Sequence, residues 1–310
     1  MKSLIAVVVI CMGLLVFVAT GTAEETPTIG QTVTAIYPNL ASGVLTFAEL
    51  ADLPKGILLR AGEVEMSEID VSKSIEKQPK QFQEQLRKNA FFVLEKEATR
   101  KLLVEAARKS LNETGEQTPP KSEQELINKY IARVTERITV TEDDISRFYE
   151  ENEASFCGTP LEKVKDRIGP YVLGEKKQRA IDEHLRTLGQ RISILVSASW
   201  TKEQAVLARD NPLNKARDNG KPTLVIFSAA SCCGPDKMLP VLKSLQEKYA
   251  DKINILYLEA RKEQILAARY AVHSIPTQIL YDKGGKEVFR HSGFLPQTDV
   301  EKKLKDVGIM

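Results

Sequence analysis

Two adjacent cysteines, Cys232 and Cys233, precede Gly234-Pro235-Asp236 where the apolar run Thr223 to Phe227 gives way to the helical pattern of Lys237 to Tyr249. A thiol at a helix N-terminus is drawn toward its thiolate by the helix dipole, and the thiolate is the form that attacks a disulfide. The pair could therefore carry out thiol–disulfide exchange. It could also close on itself as a vicinal disulfide, strained between neighbours and so easily reduced. A third possibility is a redox-silent segment kept for binding. A metal site is not expected. The chain has 3 histidines, none in a paired metal-ligand spacing, and His273 and His291 give two soft thiolates no clear third ligand. No cofactor is expected either.

The remaining cysteines bear on where this chemistry would take place. Lys2 is followed by an apolar run from Leu4 to Ala19, broken only by Gly13, and then by the small residues Gly21 and Ala23. This reads as a signal peptide over residues 1–23, cleaved before Glu24. Ile10 in front of Cys11 is too large for lipoprotein processing. The mature protein is expected to be periplasmic or otherwise extracytoplasmic, with no membrane span, in a compartment where disulfides persist. Its cysteines are then Cys157, Cys232 and Cys233, an odd number that leaves at least one unpaired in a monomer.

Composition sets further bounds. The 310 residues suggest two domains. With 44 Lys+Arg against 42 Asp+Glu, the chain lacks the basic excess of a nucleic-acid binder. Charged content of 28% and hydrophobic content of 42% are those of a folded globular protein.

The elements that must hold the cysteines follow from periodicity. Residues 24–55, with Pro27, Pro38 and Pro54, read as mostly irregular. Gly56 to Met66 suggests a short hairpin around Ala61-Gly62, and Ser67 caps a short helix ending near Pro79. One long helix is predicted from the apolar face Phe82, Leu86, Ala90, Val93, Leu94, Ala98, Leu102 and Ala106. A helix around Leu126 to Ile138 and a capping-box start at Thr141 to Asp144 follow. A last long helix, Leu161 to Leu188, is expected to bend at Gly169-Pro170, and Ile192 to Val196 alternates like a strand. After Trp200 strands alternate with helices: a helix from Pro212, strands at Thr223–Phe227 and Ile253–Leu258, a helix at Glu263–Tyr270, a hairpin about Lys283-Gly284-Gly285, and a closing helix. That order predicts a compact α/β domain over residues 201–310.

Several stretches of this second part resemble the thioredoxin family: Lys221-Pro222-Thr223-Leu224-Val225-Ile226-Phe227, then Cys232-Cys233-Gly234-Pro235-Asp236-Lys237-Met238, then Ser274-Ile275-Pro276-Thr277, then Gly293. The resemblance implies a cis peptide bond before Pro276, beside the reactive cysteine. It also implies a groove in which Pro276 and the Ile275 backbone receive a substrate polypeptide. The active-site loop departs from the family. Asp236 stands where the second cysteine of Cys-Gly-Pro-Cys belongs, and Cys232 stands where a tryptophan is usual. Ile226 occupies the place of the family's buried acid. Local identity makes Cys233 the first cysteine of the motif. Counting 5 residues on from Phe227, or 8 back from Pro240, makes it Cys232. Both registers stay open.

Within residues 56–200, three stretches resemble the chaperone part of the SurA/PrsA group of extracytoplasmic foldases. They are Leu58 to Ser67 with the helix after it, Val140 to Asn152 with its Phe148-Tyr149-Glu150-Glu151-Asn152, and Leu161 to Ile168 through Ile192 to Val196. In that group a prolyl-isomerase domain lies between the second and third stretches. Here only Glu153 to Pro160 joins them, too few residues for a domain, so no isomerase activity is expected. Cys157 in this connector reads as an exposed loop thiol or as a distant resolving partner for Cys232 or Cys233. The resemblances together imply a mostly α-helical SurA-like domain followed by an α/β thioredoxin-like domain. Its implied partners are unfolded or cysteine-containing polypeptides and a redox partner protein. Its implied work is thiol–disulfide exchange, or polypeptide binding as a redox-inactive chaperone or adaptor.

Overall fold

The computed structural model describes residues 29–114, 120–156, 158–228 and 238–309. The expected signal peptide and Cys11, Cys157, Cys232 and Cys233 lie outside these residues.

The described residues open with helix α1 (Val33–Ile36) and a 3-10 turn (Val44–Phe47), then strand β1 (Glu49–Ala51). This part is more ordered than its prolines predict, because Val33, Val44, Leu45 and Leu50 are all fully buried in the first core. The hairpin of β2 (Ile57–Ala61) and β3 (Val64–Ser67) forms at Ala61-Gly62 as expected, with Ala61 opposite Val64. Ser67 then caps α2 (Glu68–Glu76) in a capping box with Asp70.

The single long helix predicted next is two helices, α3 (Lys80–Lys88) and α4 (Ala90–Thr114). The break falls at Asn89, which leaves helical geometry with φ −124° and ψ 38°. An asparagine competes with the helix by bonding nearby backbone, and here its side-chain amide donates to the Gln85 carbonyl at 2.8 Å. Next come α5 (Glu123–Val134) and α6 (Glu142–Glu151), the second started by a Thr141–Asp144 capping box. Helix α7 (Leu161–Arg191) runs through Pro170, and β4 (Ile194–Ser197) follows it. The first sheet has the order β1-β4-β2-β3, with β4 parallel to β1 and antiparallel to β2. Helix α8 (Ala198–Ala208) was not anticipated. Its Trp200, Ala205 and Ala208 are buried in the first core.

The second body comprises α9 (Pro212–Arg217), β5 (Thr223–Ser228), α10 (Met238–Tyr249), β6 (Asn254–Glu259), α11 (Gln264–Arg269), β7 (Thr277–Tyr281), β8 (Glu287–Ser292) and α12 (Gln297–Asp306). Its sheet has the order β6-β5-β7-β8, parallel between β5 and β6 and antiparallel elsewhere. Strand β5 lies inside the sheet and is buried along its whole length, which is why its sequence is a continuous apolar run. Alternate residues divide between the faces. Leu224 and Ile226 pack with Leu242 and Leu245 of α10 and with Val300 and Leu304 of α12. Val225 and Phe227 pack with Leu213 of α9 and Leu266 of α11. The result is a sheet between two helical layers. The two bodies meet along α11, whose Ile265 belongs to the first core. Among the described residues no helix is long and apolar enough to cross a membrane.

Candidate functional site

The site is organised by two strand ends. In the β5/β7 register Phe227 lies opposite Thr277, so β5 finishes beside the residues that lead into β7. Those residues are Ser274, Ile275 and Pro276, and the Ile275–Pro276 peptide bond is cis. The Thr277 hydroxyl donates to the Ser274 carbonyl at 2.5 Å and ties the loop to its strand. On the other side, the Gly293 N–H donates to the Pro276 carbonyl at 2.8 Å, and the Gln278 side-chain amide donates to the Gly293 carbonyl at 2.9 Å. Pro276 is thus held between the end of β5 and the turn after β8. The chain carrying Cys232 and Cys233 leaves β5 after Ser228 at this same end and re-enters at Met238, the first residue of α10. The two cysteines themselves lie outside the described residues. Ile226 is fully buried, opposite the equally buried Gln278 in the register, so no ionisable side chain comes from either position.

The first body also reaches this lip, which the sequence did not reveal. Tyr171, Glu175, Gln178 and Asp182 of α7 recur at helical spacing and form one polar face. The Asp182 carboxylate lies 3.0 Å from His273 Nε2, and the Ser274 hydroxyl donates to Glu175 Oε1 at 3.3 Å. Within α7, the Tyr171 hydroxyl donates to Glu175 at 3.1 Å and the Gln178 amide to Asp182 at 2.9 Å. Just beyond α6, Asn152 is buried against Gly293. Gly293 has φ +110°, and a Cβ there would lie 1.9 Å from Asn152 Oδ1, so both backbone and neighbour call for glycine. A polar stripe on a helix ordinarily faces water. That makes the sequence signal for this contact indistinguishable from a solvated face.

Burial works to raise the Asp182 carboxyl, but the bonds from His273 and Gln178 outweigh it and hold the group below its ordinary range. Burial pushes the His291 imidazole down, against a bond to the Phe294 backbone that favours its proton. Burial likewise raises the Tyr171 hydroxyl. Among the described residues no three His, Cys, Asp or Glu side chains gather as metal ligands.

Comparison with known proteins identifies the second body. Residues 209–308 match the family model of a thioredoxin-like domain, beginning one residue past α8. A thioredoxin of Alicyclobacillus acidocaldarius is 37% identical over 99 residues, which are 32% of this chain and 92% of that protein. The chloroplastic thioredoxin Y of Oryza sativa is 33% identical over 104 residues, 34% of this chain and 60% of that protein. The crystal structure of a thioredoxin from Nicotiana alata aligns with 30% of this chain and 79% of its own, at 30% identity and a TM-score of 0.27.

Proposed function

We propose a function from one premise: the chain belongs to the thioredoxin-like family through its residues 209–308. Thiol–disulfide exchange is the reaction that membership suggests. The finer reading is an extracytoplasmic protein that handles polypeptides, with Cys232 and Cys233 as reacting thiols and Ile275–Pro276 as the groove for the client. The observation that supports it is the pairing of Phe227 with Thr277, because it puts the end of β5, from which the sequence runs on to the cysteines, beside the cis proline at one end of one sheet.

The exchange proceeds in two balanced steps. A thiolate of the pair attacks one sulfur of a client disulfide. A protein–client S–S bond forms, the client S–S bond breaks, and the departing sulfur leaves as a thiolate that takes a proton from solvent. A second thiol then attacks the mixed disulfide and frees the reduced client. Two electrons have moved from the protein's thiols to the client, and a disulfide remains on the protein. The vicinal neighbour or Cys157 can act as this second thiol, since Asp236 fills the place of the usual resolver. An external dithiol protein restores the reduced form.

The helical body is read as a SurA-like client-binding domain without isomerase activity, on the strength of its three sequence stretches and the short Glu153–Pro160 connector. Asp236 favours one alternative, a redox-inactive adaptor that binds unfolded polypeptides through the same groove.

Thiol titration and insulin reduction with Cys232→Ser and Cys233→Ser variants separate the two. Loss of insulin reduction in one variant, with a long-lived mixed disulfide trapped in the other, supports exchange. No reduction by the parent protein and alkylation of both thiols at the rate of free cysteine leaves the adaptor.

A further inference from the structure

The loop at Ile275–Pro276 is bracketed by the helical body on both sides. Asp182 and Glu175 of α7 take His273 and Ser274 just before it, and Asn152 presses on Gly293, whose N–H holds the Pro276 carbonyl. Any segment lying along the groove must therefore run beside α7. What it would meet there is acidic. Glu151, Glu175 and Asp299 all act electrostatically on His291 at the same seam. Of the two basic groups that act on Asp182, His273 is bonded to it at 3.0 Å, and Arg290 is bound to Glu287 at 2.7 Å.

Two further acceptors point the same way. Asn152 is 4% exposed, and its amide nitrogen donates to the Phe148 carbonyl at 2.9 Å, which fixes the oxygen as the end facing Gly293. That oxygen has no hydrogen-bond partner among the described residues, and neither does His291 Nε2. Both approach Gly293, at 1.9 and 3.6 Å from where a Cβ would sit. Neither atom is open to solvent, but each turns the negative end of a dipole toward Gly293, so neither adds positive charge to the seam. Among the described residues Glu175, meanwhile, holds only neutral hydroxyl donors. A hydroxyl bonded to a carboxylate already has one charged partner, and an ammonium or guanidinium in its place adds a charge–charge attraction that salt screens.

We propose that the α7 face of Glu175 and Asp182, with Asn152, is the second wall of the Ile275–Pro276 groove, and that this wall selects extended polypeptide segments carrying lysine or arginine beside their cysteine. The inference rests on the groove being the client site proposed above, but not on the thiols being redox-active.

The experiment is a binding measurement on the full chain with two fluorescent peptides of identical length, each with its single cysteine blocked by iodoacetamide. One carries lysine and arginine beside that cysteine, the other glutamate. The basic peptide should bind about three- to tenfold more tightly, and added salt should erase the difference. Glu175→Gln and Asp182→Asn should each reduce the ratio, whereas Glu175→Asp should largely keep it. Equal binding of the two peptides by the parent protein, or a ratio unchanged in both charge-neutral variants, overturns the proposal. The salt arm needs no variant, so a misfolded substitution cannot hide the outcome. Failed insulin reduction with the peptide preference intact would overturn the exchange reading and leave the wall standing.

Discussion

Arg269 of α11 donates to the side-chain oxygen of Asn89 at 2.7 Å, joining the second body to the residue where α3 gives way to α4. The guanidinium is buried, at 6% exposure, and also donates to the Ala208 carbonyl at 3.1 Å and the Asn39 carbonyl at 3.5 Å. Three separate segments of the first body thus converge on one side chain of the second.

Replacing that side chain should loosen the junction. Arg269→Met leaves the Asn89 oxygen and two carbonyls without their donor in a buried place and should cost about 2–4 kcal/mol. Trp200, the single tryptophan, lies in the first core and reports that body alone. In urea the parent should show one transition by tryptophan fluorescence and by circular dichroism. In the variant the two midpoints should separate. Coincident midpoints at unchanged stability would count against the anchor.

Glu95 gives stability a pH dependence of definite sign. Burial raises its carboxyl above the ordinary 4.5, opposed by N–H donors from Ser42, Gly43 and Leu45. The folded protein then holds a proton that the unfolded chain has released. The stability this group contributes is full below pH 4.5 and is lost as pH rises through the folded value. In Glu95→Gln that decline should vanish. The check is the urea midpoint followed upward from pH 4.5, where parallel slopes in parent and variant would contradict the assignment.

Gly189 offers a case where helix propensity and packing disagree. Alanine is favoured over glycine by about 1 kcal/mol inside a helix, and by less in the last turn of α7, where Gly189 stands. A Cβ at Gly189, however, would stand 2.3 Å from the Val44 carbonyl oxygen, which is backbone and cannot step aside alone. Gly189→Ala should therefore destabilise by about 1–3 kcal/mol, measured by thermal or urea unfolding. A stabilised variant would mean that α7 can move off the 3-10 turn at little cost.

Gly293 and Asn152 should be coupled. Gly293→Ala places a methyl group on Asn152 Oδ1 in a backbone conformation that disfavours side chains, and should cost about 1–3 kcal/mol. Asn152→Ala removes the clash, so the double variant should be more stable than the sum of the single losses predicts. Strict additivity across this cycle would show that the two residues do not meet in solution.

The legible parts of the sequence were those whose cause is local. The Ser67 and Thr141 caps, the Ala61-Gly62 hairpin and the buried run of β5 each depend on neighbours in the chain, and each was found close to its expected place. Strand β1 was missed because its partner is β4, near the far end of the same body. The break at Asn89 was missed because one asparagine in a periodic run has no signature, and its reason is partly an arginine 180 residues away. Helix α8 was missed because it buries Thr201 and Gln204 together with its apolar residues, which blurs the periodicity. The cis bond between Ile275 and Pro276 could be read from its motif. Glu175, Asp182 and Asn152 could not, because what singles them out is another domain's loop.

The first sheet needs both ends of its body. Strand β4, with β1 on one side and β2 on the other, is supplied only at Ile194–Ser197. While the chain is being synthesised, β1 and β2 emerge early and wait with open edges until the whole of α7 has been delivered, and open edges are the places where strands from other molecules attach. A protein cut short anywhere within α7 would keep its hairpin and most of its helices, yet it would lack the strand that joins them into one sheet. Such a fragment, unlike one cut after Ala208, should be a client for chaperones rather than a smaller working domain.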